Sequence, residues 1–200
     1  QLFLDELTEF RRDVLNQLRQ PLEQGELWLS RARMRLRFPC RITLVAATNP
    51  CPCGCGVGLR QRYWSRISGP LLDRLDLQVV MRRLTAEELV TPPPPLPPES
   101  SARVAERVRA ARQRMAQRNP QGLPNSQLQG EALRRLSALD SEGTALWLGA
   151  IRQRGMSGRG AERLLRVART IADLTDEAAV GACAIAEALT YRSFDPVLKG

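Results

Sequence analysis

The 200-residue sequence contains no histidine and a single lysine, Lys199, next to its last residue. A phosphate-binding loop of the form Gly-x-x-x-x-Gly-Lys-Ser/Thr needs its lysine followed by Ser or Thr and opening a helix. This chain holds no such loop. No apolar run is long enough to cross a membrane. The five cysteines, three of them clustered, are too few and too uneven for the disulfide framework of a small secreted domain, so a reducing cytoplasm is the expected compartment. Acids are also in deficit. There are 21 against 30 basic residues, a net charge of +9. That excess favours polyanionic partners, namely nucleic acid, nucleotide or an anionic membrane, without choosing among them. Hydrophobic content of 43% and charged content of 26% fit a globular chain, and the length suffices for one or two domains with real cores.

The most informative stretch is the first. Leu2-Phe3-Leu4 runs straight into Asp5-Glu6. A short apolar run suits a buried strand of a parallel sheet, and acids at its end sit at the carboxyl edge, where open α/β sheets bind ligands. An ordinary strand with a solvated acidic end gives the same pattern. Next, Phe10, Val14, Leu15 and Leu18 recur at helical spacing, which predicts a helix over 9–20 that ends where Pro21 appears.

Gln24-Gly25 signals a turn, and from Arg31 to Phe38 arginine alternates with other residues. Period two predicts strand, with one arginine face and one apolar face. A β-hairpin with its tip near 31–34 accounts for the segment. Arg31, Arg33 and Arg35 then share a strand face and can follow a phosphate backbone. A solvated edge strand blunted by arginine is the plainer alternative. Arg41 to Pro50 reads as a second buried strand, ending in the polar Asn49. Cys51, Cys53 and Cys55 follow at one-residue gaps. A structural zinc site needs four ligands, normally in Cys-x₂-Cys pairs, so a reduced, redox-sensitive loop is favoured over zinc.

Ser68 is placed to cap a short helix in Ser68-Gly69-Pro70-Leu71-Leu72-Asp73-Arg74-Leu75-Asp76, and 76–80 reads as another buried strand. A structural salt bridge from Arg74 to Asp73 or Asp76 is the simplest use of that arginine. Six prolines within 91–98 form an extended linker. Beyond it the pattern is helical throughout. Five helices are expected, over about 101–118, 126–138, 141–153, 158–172 and 178–191, as a small bundle. Arg159 falls in the first turn of the fourth, where the helix dipole opposes a cation. An arginine there either serves an anion or is simply solvated.

In order, these motifs resemble the elements of an AAA+ ATPase. The resemblance is most specific to the magnesium-chelatase-like family of the ComM/YifB type. It rests on Leu2-Phe3-Leu4-Asp5-Glu6-Leu7, Leu18-Arg19-Gln20-Pro21-Leu22-Glu23, Ser30-Arg31-Ala32-Arg33, Asn49-Pro50-Cys51-Pro52-Cys53-Gly54 and Ser68-Gly69-Pro70-Leu71-Leu72-Asp73-Arg74. In the helical part it rests on Arg166-Val167-Ala168-Arg169-Thr170-Ile171-Ala172-Asp173-Leu174. Two departures stand out. The family's phosphate loop and amino-terminal domain are missing, and its cysteine loop is shortened to 54–62.

The resemblance implies a fold class: a partial α/β AAA+ core over 1–90, the linker over 91–98 and an all-α lid bundle over 99–200. It implies ATP and Mg²⁺ as cofactors, with Asp5 holding Mg²⁺ and Glu6 polarising the attacking water. Asn49 is the sensor 1 amide, Arg74 an arginine finger for a neighbouring subunit, and Arg159 the sensor 2 arginine. It further implies a homohexamer that moves on single-stranded or branched DNA, with no membrane partner. By that reading the 200-residue chain is a fragment and inactive alone. A chelatase-type motor that drives metal insertion into a porphyrin, or a non-catalytic remnant, are the rival readings.

Overall fold

The computed structural model describes residues 1–31, 34–49, 66–82, 84–90 and 99–192. The linker 91–98 and the three clustered cysteines lie outside that set, as does Arg33. The chain divides into two compact units between Leu75 and Asp76.

In the first unit, β1 (Leu2–Leu4) lies parallel to β4 (Leu44–Ala46), with Leu4 opposite Ala46. Between them come α1 (Arg12–Gln17), α2 (Arg19–Gln24), β2 (Glu26–Arg31) and β3 (Met34–Pro39). Parallel neighbours require such a long crossover. The expected single helix over 9–20 is instead a 3₁₀ turn, Leu7–Glu9, followed by α1 and α2, which meet at Leu18. Pro21 does not end it. It sits in the first turn of α2, where its missing N–H has no intrahelical partner to lose. Gly25 closes α2 at φ +67°, a conformation that favours glycine. Helix α3 (Gly69–Leu72) follows Ser68. Ser68 sits at the expected cap position, yet its hydroxyl donates to Asn16 Oδ1 at 2.8 Å instead of capping.

Leu7, Leu15, Ile67, Leu71 and Leu72 form this unit's core, with Leu4, Leu18, Leu22 and Ala46 packed around it. The sheet is half-buried on one face and exposed on the other. Phe3 and Val45, paired in register, are 63% and 49% exposed, so the two strands expected to be fully buried are not.

The second unit begins with Asp76–Gln78. The expected buried strand over 76–80 is absent. Gln78 makes one isolated bridge to Arg192, donating its N–H to Tyr191 O at 2.9 Å, while Leu77, Val79 and Val80 are exposed. A single bridge gives a strand no sheet to enter. Helix α4 (Ala86–Val90) has a reciprocal cap: Glu88 N–H donates to Thr85 Oγ1, and Thr85 N–H to Glu88 Oε2.

The remainder is the expected helical bundle: α5 (Ser101–Arg118), α6 (Gly130–Ser137), α7 (Ser141–Arg154), α8 (Gly158–Leu174) and α9 (Ala182–Thr190). Ser100, Asp140 and Ser157 cap α5, α7 and α8 with side-chain hydrogen bonds, each worth on the order of 1 kcal/mol. Helices α6 and α9 begin four residues later than expected. Asn125–Gln127 is a 3₁₀ turn and Leu128 extends before α6, while Leu139 and Val180 pair as an extended bridge.

Helix α8 is the hub of the bundle. Leu164, Leu165 and Ala168 are fully buried with Leu133, Val180 and Ile185, and each leucine contributes on the order of 1.5–3 kcal/mol. A polar cluster crosses the core. Arg169, 0% exposed, donates to Ala178 O at 2.7 Å, Glu177 O at 2.6 Å and Asp173 Oδ1 at 3.1 Å. Asp173 also accepts from Asn125 Nδ2 at 2.8 Å and from both terminal nitrogens of Arg118. Burial pushes the Arg169 guanidinium below its ordinary value, against the charge of Asp173. Burial would raise the Asp173 carboxyl. The hydrogen bonds from Arg118 and Asn125, with the charges of Arg169 and Arg118, outweigh it and hold the group below its usual value.

Candidate functional site

The parallel register brings Asp5, Glu6 and Asn49 to one edge. Ala47 N–H donates to Leu4 O at 2.9 Å, and Leu7 N–H donates back to Ala47 O at 2.9 Å. The segments that follow β1 and β4 therefore leave the sheet side by side. Their ends are joined by a hydrogen bond of 2.8 Å between the Thr8 and Thr48 hydroxyls, and Thr8 is fully buried. Arg66 donates to Thr8 O at 3.2 Å and pairs with Glu9 at 3.5 Å. Asp5, Glu6 and Asn49 are all exposed, so this edge presents two carboxylates and an amide to solvent.

Glu6 sits at φ 50°, ψ 47°, in the left-handed region. A non-glycine residue there costs of order 1–3 kcal/mol and persists only where its surroundings enforce it. Here Asp5 Oδ1 accepts the Glu6 N–H at 2.9 Å, and Glu6 O accepts Glu9 N–H at 2.7 Å. The kink turns the chain out of β1 between the two acids. Strand alternation alone does not reveal it.

Oxygen donors on exposed carboxylates fit a hard divalent cation. Mg²⁺ usually takes only one or two protein carboxylates, with water and phosphate completing its shell. Among the described residues no group of three His, Cys, Asp or Glu side chains is placed to hold a metal ion.

Arg74 follows α3 in the same unit. Its partner is neither Asp73 nor Asp76 but Glu23 of α2, and it also donates to Pro70 O. The Arg74 side chain is only 13% exposed. It lines a shallow polar cleft with Asn16, Gln20 and Arg19. Asp76 instead pairs with Arg163 at 3.1 Å within the helical unit. Arg159 lies in the first turn of α8, exposed, two residues beyond the Ser157 cap.

The hairpin forms as expected, but its arginines do not share a face. The register pairs Arg31 with Met34, Ser30 with Arg35, and Trp28 with Arg37. Directly opposed residues lie on one side of the ribbon and adjacent residues on opposite sides. Arg35 thus belongs with Trp28, Ser30, Arg37 and Glu26, while the backbone position of Arg31 belongs with Leu29, Met34 and Leu36. The expectation of one continuous arginine face is corrected by the two-residue tip, which interrupts the alternation. On the Trp28 side, Arg37 Nε donates to Glu26 Oε2 at 2.7 Å. That bond lowers the Glu26 carboxyl and raises the Arg37 guanidinium. Sequence reasoning missed Trp28, Glu23, Thr8 and Thr48. Only Thr48, next to Asn49 at a strand end, carried a local signal.

The model of the magnesium chelatase subunit ChlI matches residues 1–89, and that of the ChlI C-terminal region matches residues 98–192. The uncharacterized protein YifB of Escherichia coli K12 is 42% identical over 98% of this chain, and that of Salmonella typhimurium is 39% identical over 98%. The competence protein ComM of Haemophilus influenzae is 39% identical over 99%. The chain spans about 40% of the length of these relatives. Matched along both its units and aligned with these relatives almost from end to end, the chain belongs to the magnesium-chelatase-like family of the ComM/YifB type.

Proposed function

We propose that this chain is part of an ATP-driven, ring-forming DNA motor. The carrying observation is the hairpin, which holds Arg35 on an exposed face with no carboxylate partner among the described residues. A net charge of +9 supports a polyanionic partner. One relative at 39% identity is named as a competence protein, which supports DNA as that partner. For the nucleotide, the family supports ATP with Mg²⁺. Asp5 would hold the cation, Glu6 would orient and deprotonate water, and Asn49 would hydrogen-bond the terminal phosphate. Mg²⁺, when bound, offsets phosphate charge. Arg74 would act on a neighbouring subunit's nucleotide, in a homohexamer, and Arg159 on the phosphate from the helical unit. The domains would run over 1–90 and 99–200, joined by 91–98, in the cytoplasm.

The 200-residue chain alone is expected neither to bind ATP tightly nor to hydrolyse it, because it has no phosphate loop. Micromolar affinity by calorimetry contradicts this. For DNA, the test is replacement of Arg31, Arg33 and Arg35 by alanine in the intact protein. Binding to single strands should weaken, and the salt slope should flatten by roughly 0.7 for each of these arginines that meets a phosphate. Unchanged affinity and slope would remove the hairpin from the mechanism. That outcome would favour the rival reading, a chelatase-type motor, which the family's ChlI description supports.

A further inference from the structure

Trp28 and Arg35 are not opposite one another. Trp28 pairs with Arg37, and Arg35 lies one diagonal step along β3. Even so, the Arg35 guanidinium lies over the indole, its central carbon 4.8 Å from the ring centroid, with that of Arg37 at 5.9 Å. Trp28 therefore meets two arginines whose states differ. Arg37 is neutralised by Glu26. Arg35 has no carboxylate among the described residues, and both it and Trp28 (36% exposed) face solvent. A free arginine side chain loses rotamer freedom when it is fixed. An arginine already laid on an aromatic face has lost part of that freedom before any ligand arrives.

We propose that Trp28 is a positioning residue for single-stranded DNA. Its indole holds the Arg35 guanidinium in place, leaving N–H groups free to meet one backbone phosphate, while Arg37, paired with Glu26, lies farther from the same ring. This rests on the reading of the hairpin as the DNA contact. It adds that one arginine is preorganised and that an aromatic residue does it. Contact with the phosphate alone makes the site indifferent to base sequence.

The test uses the intact protein and a fluorescein-labelled oligo(dT), with anisotropy titrations at several salt concentrations. Arg35→Ala should weaken binding and flatten the salt slope by roughly 0.7. Trp28→Ala should weaken binding about two- to fivefold, the range of an exposed cation–π contact. Trp28→Phe, which keeps a smaller aromatic face, should recover part of the loss and guards against a folding artefact. In the Arg35→Ala background, Trp28→Ala should cost nothing more. An equal loss from Trp28→Ala with and without Arg35, or no loss at all while Arg35→Ala weakens binding, overturns the positioning role and leaves the DNA reading intact. If Arg35→Ala changes neither affinity nor slope, the hairpin is not the DNA contact and both readings fall.

Discussion

Arg74 is tied to Glu23, 51 positions earlier in the chain, and this bond spans from the end of α3 to the end of α2. An arginine so engaged has to leave its carboxylate before it can reach a phosphate on another subunit. In the intact protein, Arg74→Ala should disable the neighbour's site in mixed assemblies, by on the order of 10³–10⁵ in rate if it acts as an arginine finger. Glu23→Gln should not reproduce that loss. Subunit-autonomous defects of equal size in both variants, measured by ATPase assays on mixed rings, would make the pair purely structural.

Glu6→Gln in the intact protein should retain nucleotide binding and lose turnover, because the amide keeps the shape but cannot take a proton. Asp5→Asn should weaken Mg²⁺-dependent binding as well. Calorimetry with and without Mg²⁺, beside steady-state hydrolysis, separates the two. Wild-type turnover in Glu6→Gln would refute the assignment.

Asp173 neutralises a fully buried arginine, so Asp173→Ala should destabilise the helical unit by about 3–5 kcal/mol, read as a lower urea midpoint. The pH dependence follows from the lowered carboxyl. Its contribution is complete above the unfolded value of about 3.9 and is lost as pH falls through the lower folded value. Acid titration of the wild type should show that loss, and Asp173→Asn should not.

Two glycines of α7 should behave oppositely. A Cβ on Gly143 would meet Val180 O at 2.4 Å, whereas one on Gly149 meets nothing within 4 Å. Gly143→Ala should cost about 1–3 kcal/mol, as overpacking does. Gly149→Ala should stabilise by up to about 1 kcal/mol, the helix-propensity difference. Thermal melts of both variants decide it, and a neutral Gly143→Ala would contradict the packing of α7 against Val180.

What the sequence disclosed was local chemistry. Ser100 and Ser157 announced their helices because a cap needs only its own next three residues. The hairpin showed itself through period two, and Asp5-Glu6 through an apolar run ending in acids. What it concealed depends on parity or on distance. Arg31 and Arg35 are four apart and would share a face on one strand, yet the tip between them breaks that count. Glu23 and Thr8 find Arg74 and Thr48 only after the chain has folded back. Residues 76–80 have the composition of a strand, but composition does not provide a sheet beside them.

If Glu6 acts on water as proposed, its left-handed backbone sets two kinds of selection against each other. A library of variants screened for survival on heating should drift at this position toward glycine or asparagine, which occupy that conformation at little cost. A library screened for ATP turnover by the intact protein should hold glutamate. Position 6 would then rank among the most replaceable residues in one screen and among the least in the other, and the gap between the two rankings would measure how much folding stability the site gives up for its chemistry.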